Sequence, residues 1–325
     1  MNKPLKTALN LLIFALIVGF GYYMIHSIKS EKQKPQKEIK NPKNDFFSPY
    51  TKINSLTLSS DISNFYINDN EIYVITEDLQ FSIFDFQGTL QNSFKIEKNV
   101  RDIVVENETI YLLYPNQITL YTHQGEFFAE WEACSENSDY CSFTATKDYV
   151  YVTDAENKMI WQFDMQGGLV RAVKSPNGFI IPSYSFGIMN INDTIYCSNS
   201  GRHKIESYTL DGEYITSFGK SGTAAGSFVG CCNPVYLEES SDGNILTSEK
   251  GDPRISMYGK DGKFISVLFD AEMLGGGTKA YRMRVYDENI FVENGKTISI
   301  YCMDKANIST IVNPCDGCPM RDMCK

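Results

Sequence analysis

A short apolar phrase recurs six times in this chain, and it constrains the fold more than any other feature. The copies are Ile72-Tyr73-Val74, Ile110-Tyr111-Leu112, Val150-Tyr151-Val152, Ile195-Tyr196-Cys197, Ile245-Leu246-Thr247 and Ile290-Phe291-Val292. Their first residues lie 38, 40, 45, 50 and 45 positions apart. Each is followed by a second segment that ends in a turn: FSIFDFQG (81–88), ITLYTHQG (118–125), IWQFDMQG (160–167), IESYTLDG (205–212) and ISMYGKDG (255–262). The sixth copy, ISIYCMDK (298–305), lacks the glycine. Alternation of apolar and polar residues reads as antiparallel strands with one buried face. The Gln-Gly and Asp-Gly ends read as hairpin turns, where glycine supplies positive φ.

A further strand follows the turn, as in EFFAEW (126–131), EYITSF (213–218) and KFISVL (263–268). Another precedes the triplet, as in SNFYIN (63–68) and RMRVYD (282–287). Four strands per unit, six units in phase, predict an all-β, six-bladed β-propeller over residues 49–312. The strand completing the last blade is open between Tyr50–Ser59 and Asn307–Val312; sharing a blade between the two ends of the domain removes a free sheet edge.

The units resemble NHL repeats. Units four and five carry the likeness best: Asn192-Asp193-Thr194-Ile195-Tyr196-Cys197-Ser198-Asn199 with His203-Lys204-Ile205-Glu206-Ser207-Tyr208, and Asp242-Gly243-Asn244-Ile245-Leu246-Thr247-Ser248-Glu249 with Pro253-Arg254-Ile255-Ser256-Met257-Tyr258. The resemblance covers about residues 60–305 and implies a six-bladed NHL-type ring. It specifies function poorly, since propellers host many unrelated activities. Some NHL propellers are zinc lyases that use three histidines on inner loops; beyond residue 45 this chain has only His123 and His203.

Ahead of the repeats, residues 7–28 (TALNLLIFALIVGFGYYMIHSI) carry no charge. At about 1.5 Å per residue such a run reaches roughly 33 Å, enough for a hydrocarbon core of about 30 Å. It ends in Gly21-Tyr22-Tyr23-Met24 rather than in small residues, which suits an uncleaved signal anchor with an interfacial aromatic belt better than a cleaved leader. Residues 1–6 form a short tail. Residues 29–48 form a Lys/Pro-rich stem of extended character. Six lysines follow the span and favour a cytoplasmic body. The six-residue tail followed by one span is the layout of a protein exported by its anchor, and the body is expected outside the cytoplasm, periplasmic or extracellular.

Residues 1–45 hold eight lysines against three acids; the whole chain carries −10, which leaves −15 on the remaining 280 residues. An acidic body of this kind lacks the basic footprint of a nucleic-acid binder. No P-loop, G-x-S-x-G, H-E-x-x-H or C-x-x-C-H motif is present.

Nine cysteines supply the unusual chemistry. Gly230-Cys231-Cys232-Asn233-Pro234 leads into the innermost strand of unit five, where propellers gather ligand-binding loops. The adjacent thiols read as a vicinal disulfide, a soft-metal pair or two plain thiols. Cys231, Cys232 and Asn233, together with Glu249, Lys250 and Arg254 after the next strand core, form the candidate ligand-binding set. Cys315, Cys318 and Cys324, in a Cys-rich tail over 313–325, read as a disulfide-pinned tail, or as part of a zinc or iron–sulfur site that would need a fourth ligand from elsewhere. Cys134 and Cys141 flank a polar loop and suggest a closing disulfide. Cys197 reads as a small buried hydrophobe.

The sequence therefore points to a membrane-anchored binding or scaffold propeller that takes a protein, peptide or glycan on its loop face, with no cofactor. The alternative is a redox or metal-binding propeller built on Cys231/Cys232 and the C-terminal cysteines. A propeller hydrolase or lyase ranks third.

Overall fold

The computed structural model describes residues 48–304. The expected span at 7–28, its flanking segments and the cysteines at 315, 318 and 324 lie outside the described residues. Among the described residues no helix is long and apolar enough to cross a membrane.

Twenty-four strands among these residues form six four-stranded antiparallel sheets. Blade I runs β2 (Ile62–Asn68), β3 (Glu71–Thr76), β4 (Gln80–Asp85), β5 (Leu90–Lys95). Blade II runs β6 (Asp102–Glu106), β7 (Thr109–Tyr114), β8 (Gln117–Thr122), β9 (Phe127–Glu132). Blade III is β10 (Tyr140–Ala145), β11 (Tyr149–Asp154), β12 (Met159–Asp164), β13 (Leu169–Val173), and blade IV is β14 (Ile188–Ile191), β15 (Thr194–Asn199), β16 (Lys204–Thr209), β17 (Tyr214–Phe218). Blade V is β18 (Tyr236–Glu239), β19 (Ile245–Glu249), β20 (Arg254–Tyr258), β21 (Phe264–Phe269). Blade VI combines β22 (Met283–Tyr286), β23 (Asn289–Asn294) and β24 (Thr297–Met303) with β1 (Tyr50–Thr57) from the start of the domain.

That pairing settles the closure. β1 lies antiparallel to β24, from Tyr50 opposite Met303 to Thr57 opposite Thr297. It also explains why the sixth repeat lacks its glycine. Strand β24 is not followed by a hairpin, because its outer neighbour arrives from the other end of the domain. In the other five blades the turn glycine has positive φ, between 78° and 84° at Gly88, Gly125, Gly167, Gly212 and Gly262. Most of these glycines also lie against the preceding blade. A Cβ on Gly167 would come within 2.5 Å of the Trp131 ring, and one on Gly212 within 2.5 Å of Val173.

The apolar core lies between blades rather than inside one. Six clusters of buried side chains each join two consecutive blades. Tyr73, Phe81 and Ile83 meet Ile103 and Leu112 between I and II, and Phe291 and Ile298 meet Phe65 and Val74 across the closure. Each sheet is thus covered on both faces. The alternating, half-buried strands expected from sequence occur toward the outside of the blades: β4 and β5 alternate, whereas the second strands β3, β7, β11 and β15 are buried at five consecutive positions. Doubly covered strands select unbroken apolar runs, which is why the Ile-Tyr-Val triplets recur. The six inner strands contact one another in chain order and line a central channel.

Candidate functional site

Two kinds of segment end at one face of the ring: the connections leading into the inner strands, and the loops joining second to third strands. Together they shape a funnel of about 510 Å³ that receives residues from all six blades. Four cations line it, Arg101, Lys250, Lys279 and Arg282, against two acids, Asp102 and Glu293. Lys279 pairs with Glu293 at 3.1 Å, and Arg101 with Asp139 at 3.3 Å. The Arg101 guanidinium also stands over the Tyr184 ring, 5.2 Å from its centroid. Lys250 Nζ donates to Ser185 Oγ at 3.3 Å, and no carboxylate among the described residues pairs with it.

Below the mouth the channel narrows to a pocket of about 120 Å³ built around Asp102. Asp102 Oδ1 accepts from Arg282 Nη1 at 3.0 Å and Arg284 Nη2 at 3.1 Å, while Oδ2 accepts from the Ser142 hydroxyl at 2.5 Å. Blades II, III and VI are therefore tied through one buried carboxylate. Arg284 Nη1 donates onward to Glu238 Oε2 of blade V at 3.2 Å. Arg282 stacks over Tyr236, at 4.6 Å, and Arg284 over Tyr66, at 5.3 Å. Burial pushes the Glu238 carboxyl up to about 7, against the pull of Arg284. The opposite mouth is lined by acids, among them Glu238, Glu239, Asp242 and Asp287. The channel thus runs from a cation-lined end to an acidic one, in a body of negative net charge.

The Gly230–Pro234 phrase lies in the connection leading to β18, at the funnel rim. The Asn233–Pro234 peptide is cis. Cys231 is exposed and Cys232 buried, with their sulfurs 3.2 Å apart as free thiols. Ser183 Oγ stands 4.0 Å from Cys232 Sγ. Burial disfavours the Cys232 thiolate, but the Lys250 ammonium, the Cys231 thiol and the Ser183 hydroxyl outweigh it and draw the pKa below the ordinary cysteine value. The contact with Cys232, and then its charge, push the Cys231 thiol up.

The remaining candidates have other roles in the structure. Asn233 is buried and fully engaged with backbone. Its amide donates to Val229 O and to Lys250 O at 2.8 Å, and its oxygen accepts from Lys250 N–H at 2.9 Å. It staples two loops and so sets Lys250 at the funnel. Glu249 and Arg254 are sealed inside blade V as a two-pronged pair, Nε to Oε1 and Nη2 to Oε2 both at 2.9 Å, with Ser256 also donating to Glu249. They do not line the funnel: of the candidate ligand-binding set, these two form a buried pair inside the blade. Of the six candidate ligand-binding residues, Lys250 lines the cavity and the two cysteines flank it.

The expected Cys134–Cys141 bridge is not formed; both are free thiols. Tyr140 and Cys141 are successive residues of β10, at a register shift, and pack into different interblade clusters. Cys134 packs on the Tyr140 side, where the Tyr140 hydroxyl accepts its N–H at 3.1 Å, whereas Cys141 packs with the cluster on the blade IV side. Cys197 is fully buried, as its strand position suggested. His123 bonds Glu71 at 2.8 Å at a hairpin end. Among the described residues no group of three or more His, Cys, Asp or Glu side chains is placed to hold a metal ion. The cations at positions 101, 279 and 282 were not singled out from sequence. The available signal was their position: Arg101-Asp102 and Arg282 begin inner strands, where charge interrupts otherwise apolar segments.

No protein-family model and no curated protein sequence matches the chain. Solved structures do. A streptogramin B lyase aligns with TM-score 0.56 at 15% identity over 78% of this chain and 97% of its own. A virginiamycin B lyase from Staphylococcus aureus aligns with TM-score 0.56 at 12% identity, over 78% of this chain and 99% of its own. A structural genomics protein of unknown function from Bacteroides thetaiotaomicron gives TM-score 0.56 at 12%, over 78% and 75%. At such identities the likeness shows the six-bladed propeller fold alone.

Proposed function

We propose that this chain is an NHL-like binding propeller, held at a membrane by residues 7–28 with its body outside the cytoplasm. Its funnel takes a protein, peptide or glycan that bears acidic groups. The observation that carries this reading is the cation-lined funnel, set opposite an acidic mouth in an acidic body. A cavity of that volume admits a side chain or a sugar unit rather than a whole domain, so the partner inserts a tip and rests its remainder on the surrounding loops. Arg101 and Lys250 present donors to a carboxylate, sulfate or phosphate, and Tyr184 and Tyr236 present rings.

The lyase activity named for the structural neighbours is not carried over. His123 is tied to Glu71 away from the funnel, and neither it nor His203 is among the funnel-lining residues. The test is an array of acidic and neutral peptides and glycans probed with the full chain in lipid nanodiscs. Hits should bear anionic groups, and the double substitution Arg101→Glu/Lys250→Glu should weaken them at least about tenfold, one lost ion pair of 1.4 kcal/mol or more. Neutral hits that tolerate the substitution would exclude the funnel.

A further inference from the structure

Two thiols on successive residues, at the rim of a ligand-sized funnel and beside a lysine, do more than fill space. The Cys231 and Cys232 sulfurs already lie 3.2 Å apart, one at the surface and one beneath it. Ser183 and Lys250, the groups that flank Cys232, both belong to the funnel wall. The geometry points to Cys231 and Cys232 as a thiol–disulfide exchange site that reduces a disulfide-bearing small molecule or protein and closes to a vicinal disulfide. This holds whether or not the funnel takes an acidic ligand.

The division of labour follows from exposure and charge. The two sulfurs share a hydrogen bond that either can donate, and in the fraction of the pair that has lost one proton the charge is favoured on Cys232, beside Lys250. An incoming disulfide, R–S–S–R, reaches Cys231, because Cys232 is 5% exposed. The Cys231 proton passes to Cys232, and the Cys231 thiolate attacks one sulfur of the disulfide. The S–S bond breaks, and RS⁻ leaves with the electron pair. Cys232 then gives its proton to that thiolate and attacks the Cys231 sulfur, expelling the second RS⁻, which takes a proton from water. Two protein thiols are oxidised to one disulfide, and one external disulfide is reduced to two thiols. Half-buried Cys134 and Cys141 and fully buried Cys197 are poorly suited to this. Burial pushes Cys134 up, Cys141 up to about 12 and Cys197 well above the ordinary value, and exchange needs the thiolate and access to it.

Trypsin releases residues 221–250 as one peptide that holds only these two cysteines, so the pair can be followed apart from the other seven. The full chain in nanodiscs is treated with oxidised glutathione, quenched with an alkylating reagent, digested and weighed. The expected wild-type peptide loses both alkylatable thiols and carries no glutathione. Cys232→Ser should stop at one glutathione on Cys231, because the second step is blocked. Cys231→Ser should lose its remaining thiol at least about tenfold more slowly, for want of an exposed attacking sulfur. A wild-type peptide that keeps both thiols, or that holds glutathione without closing the ring, overturns the proposal. So does a Cys231→Ser chain that reacts as fast as wild type.

Discussion

Replacing Asp102 with alanine should destabilise the ring more than any other single change to its channel. The Asp102 carboxylate is 3% exposed and faces two guanidiniums, at 3.0 and 3.1 Å, whose side chains are 10% and 12% exposed. At an effective dielectric near 20, a pair at about 4 Å is worth roughly 4 kcal/mol before desolvation. Arg284 keeps Glu238 as a partner when Asp102 is lost, but Arg282 keeps only the Tyr236 ring and the Arg101 carbonyl. One buried cation is thus left uncompensated, a change that typically costs about 3–5 kcal/mol. In a domain of this size each kcal/mol lowers Tm by roughly 2–4 °C, so the expected fall is on the order of 10 °C. Circular dichroism melts of the full chain read it directly. The double variant Asp102→Leu/Arg282→Met, which removes both charges, should recover most of the loss. A fall under about 2 °C for Asp102→Ala, or a double variant no more stable than the single one, would show that the channel charges are solvated rather than structural.

Two further outcomes follow from turn and channel geometry. Gly167→Ala meets both a positive φ of 84° and the Trp131 ring at 2.5 Å, whereas Gly88→Ala meets only the φ penalty, with Leu56 at 3.6 Å. Chemical denaturation should give about 1 kcal/mol lost at position 88 and clearly more at 167; equal losses would contradict the interblade contact. Glu238 is held up near 7 in the folded chain, against an ordinary value of 4.5. Between those values the unfolded chain has lost the proton that the folded chain retains, so this group's contribution to stability falls as pH rises through the window and levels off above it. The Tm of wild type minus that of Glu238→Gln should therefore fall from pH 5 to 7 and stay level beyond pH 8. A difference that does not vary with pH would place the carboxyl's ionisation elsewhere.

The repeat spacing made the ring legible because each blade is one local unit: four strands contiguous in sequence, closed by a glycine turn. What it hid was any contact between blades. The triplets looked like half-buried strands, since a second covering sheet contributes nothing to the local pattern. The sixth turn looked degenerate because its partner strand lies more than 200 residues away, at Tyr50–Thr57. The funnel was hidden for the same reason. Asp102 and Arg282 are 180 positions apart, and only the closed ring brings them together. The vicinal cysteines were legible as an oddity of composition, and their location beside Lys250 followed from the loop order. Glu249 and Arg254 were misread because a loop position says nothing of which way the side chain turns. In blade V they turn inward, where each satisfies the other.

We propose that partners bind at the cation-lined mouth. Lysine footprinting of the full chain in nanodiscs, with and without an array hit, tests it most directly. Lys147 and Lys263 stand at the other end of the ring, in turns that close the opposite face, and their side chains are 87% and 85% exposed. Lys250 and Lys279 should be protected by the bound partner while Lys147 and Lys263 label as before. Protection of Lys147 or Lys263, with Lys250 and Lys279 still fully reactive, would contradict it.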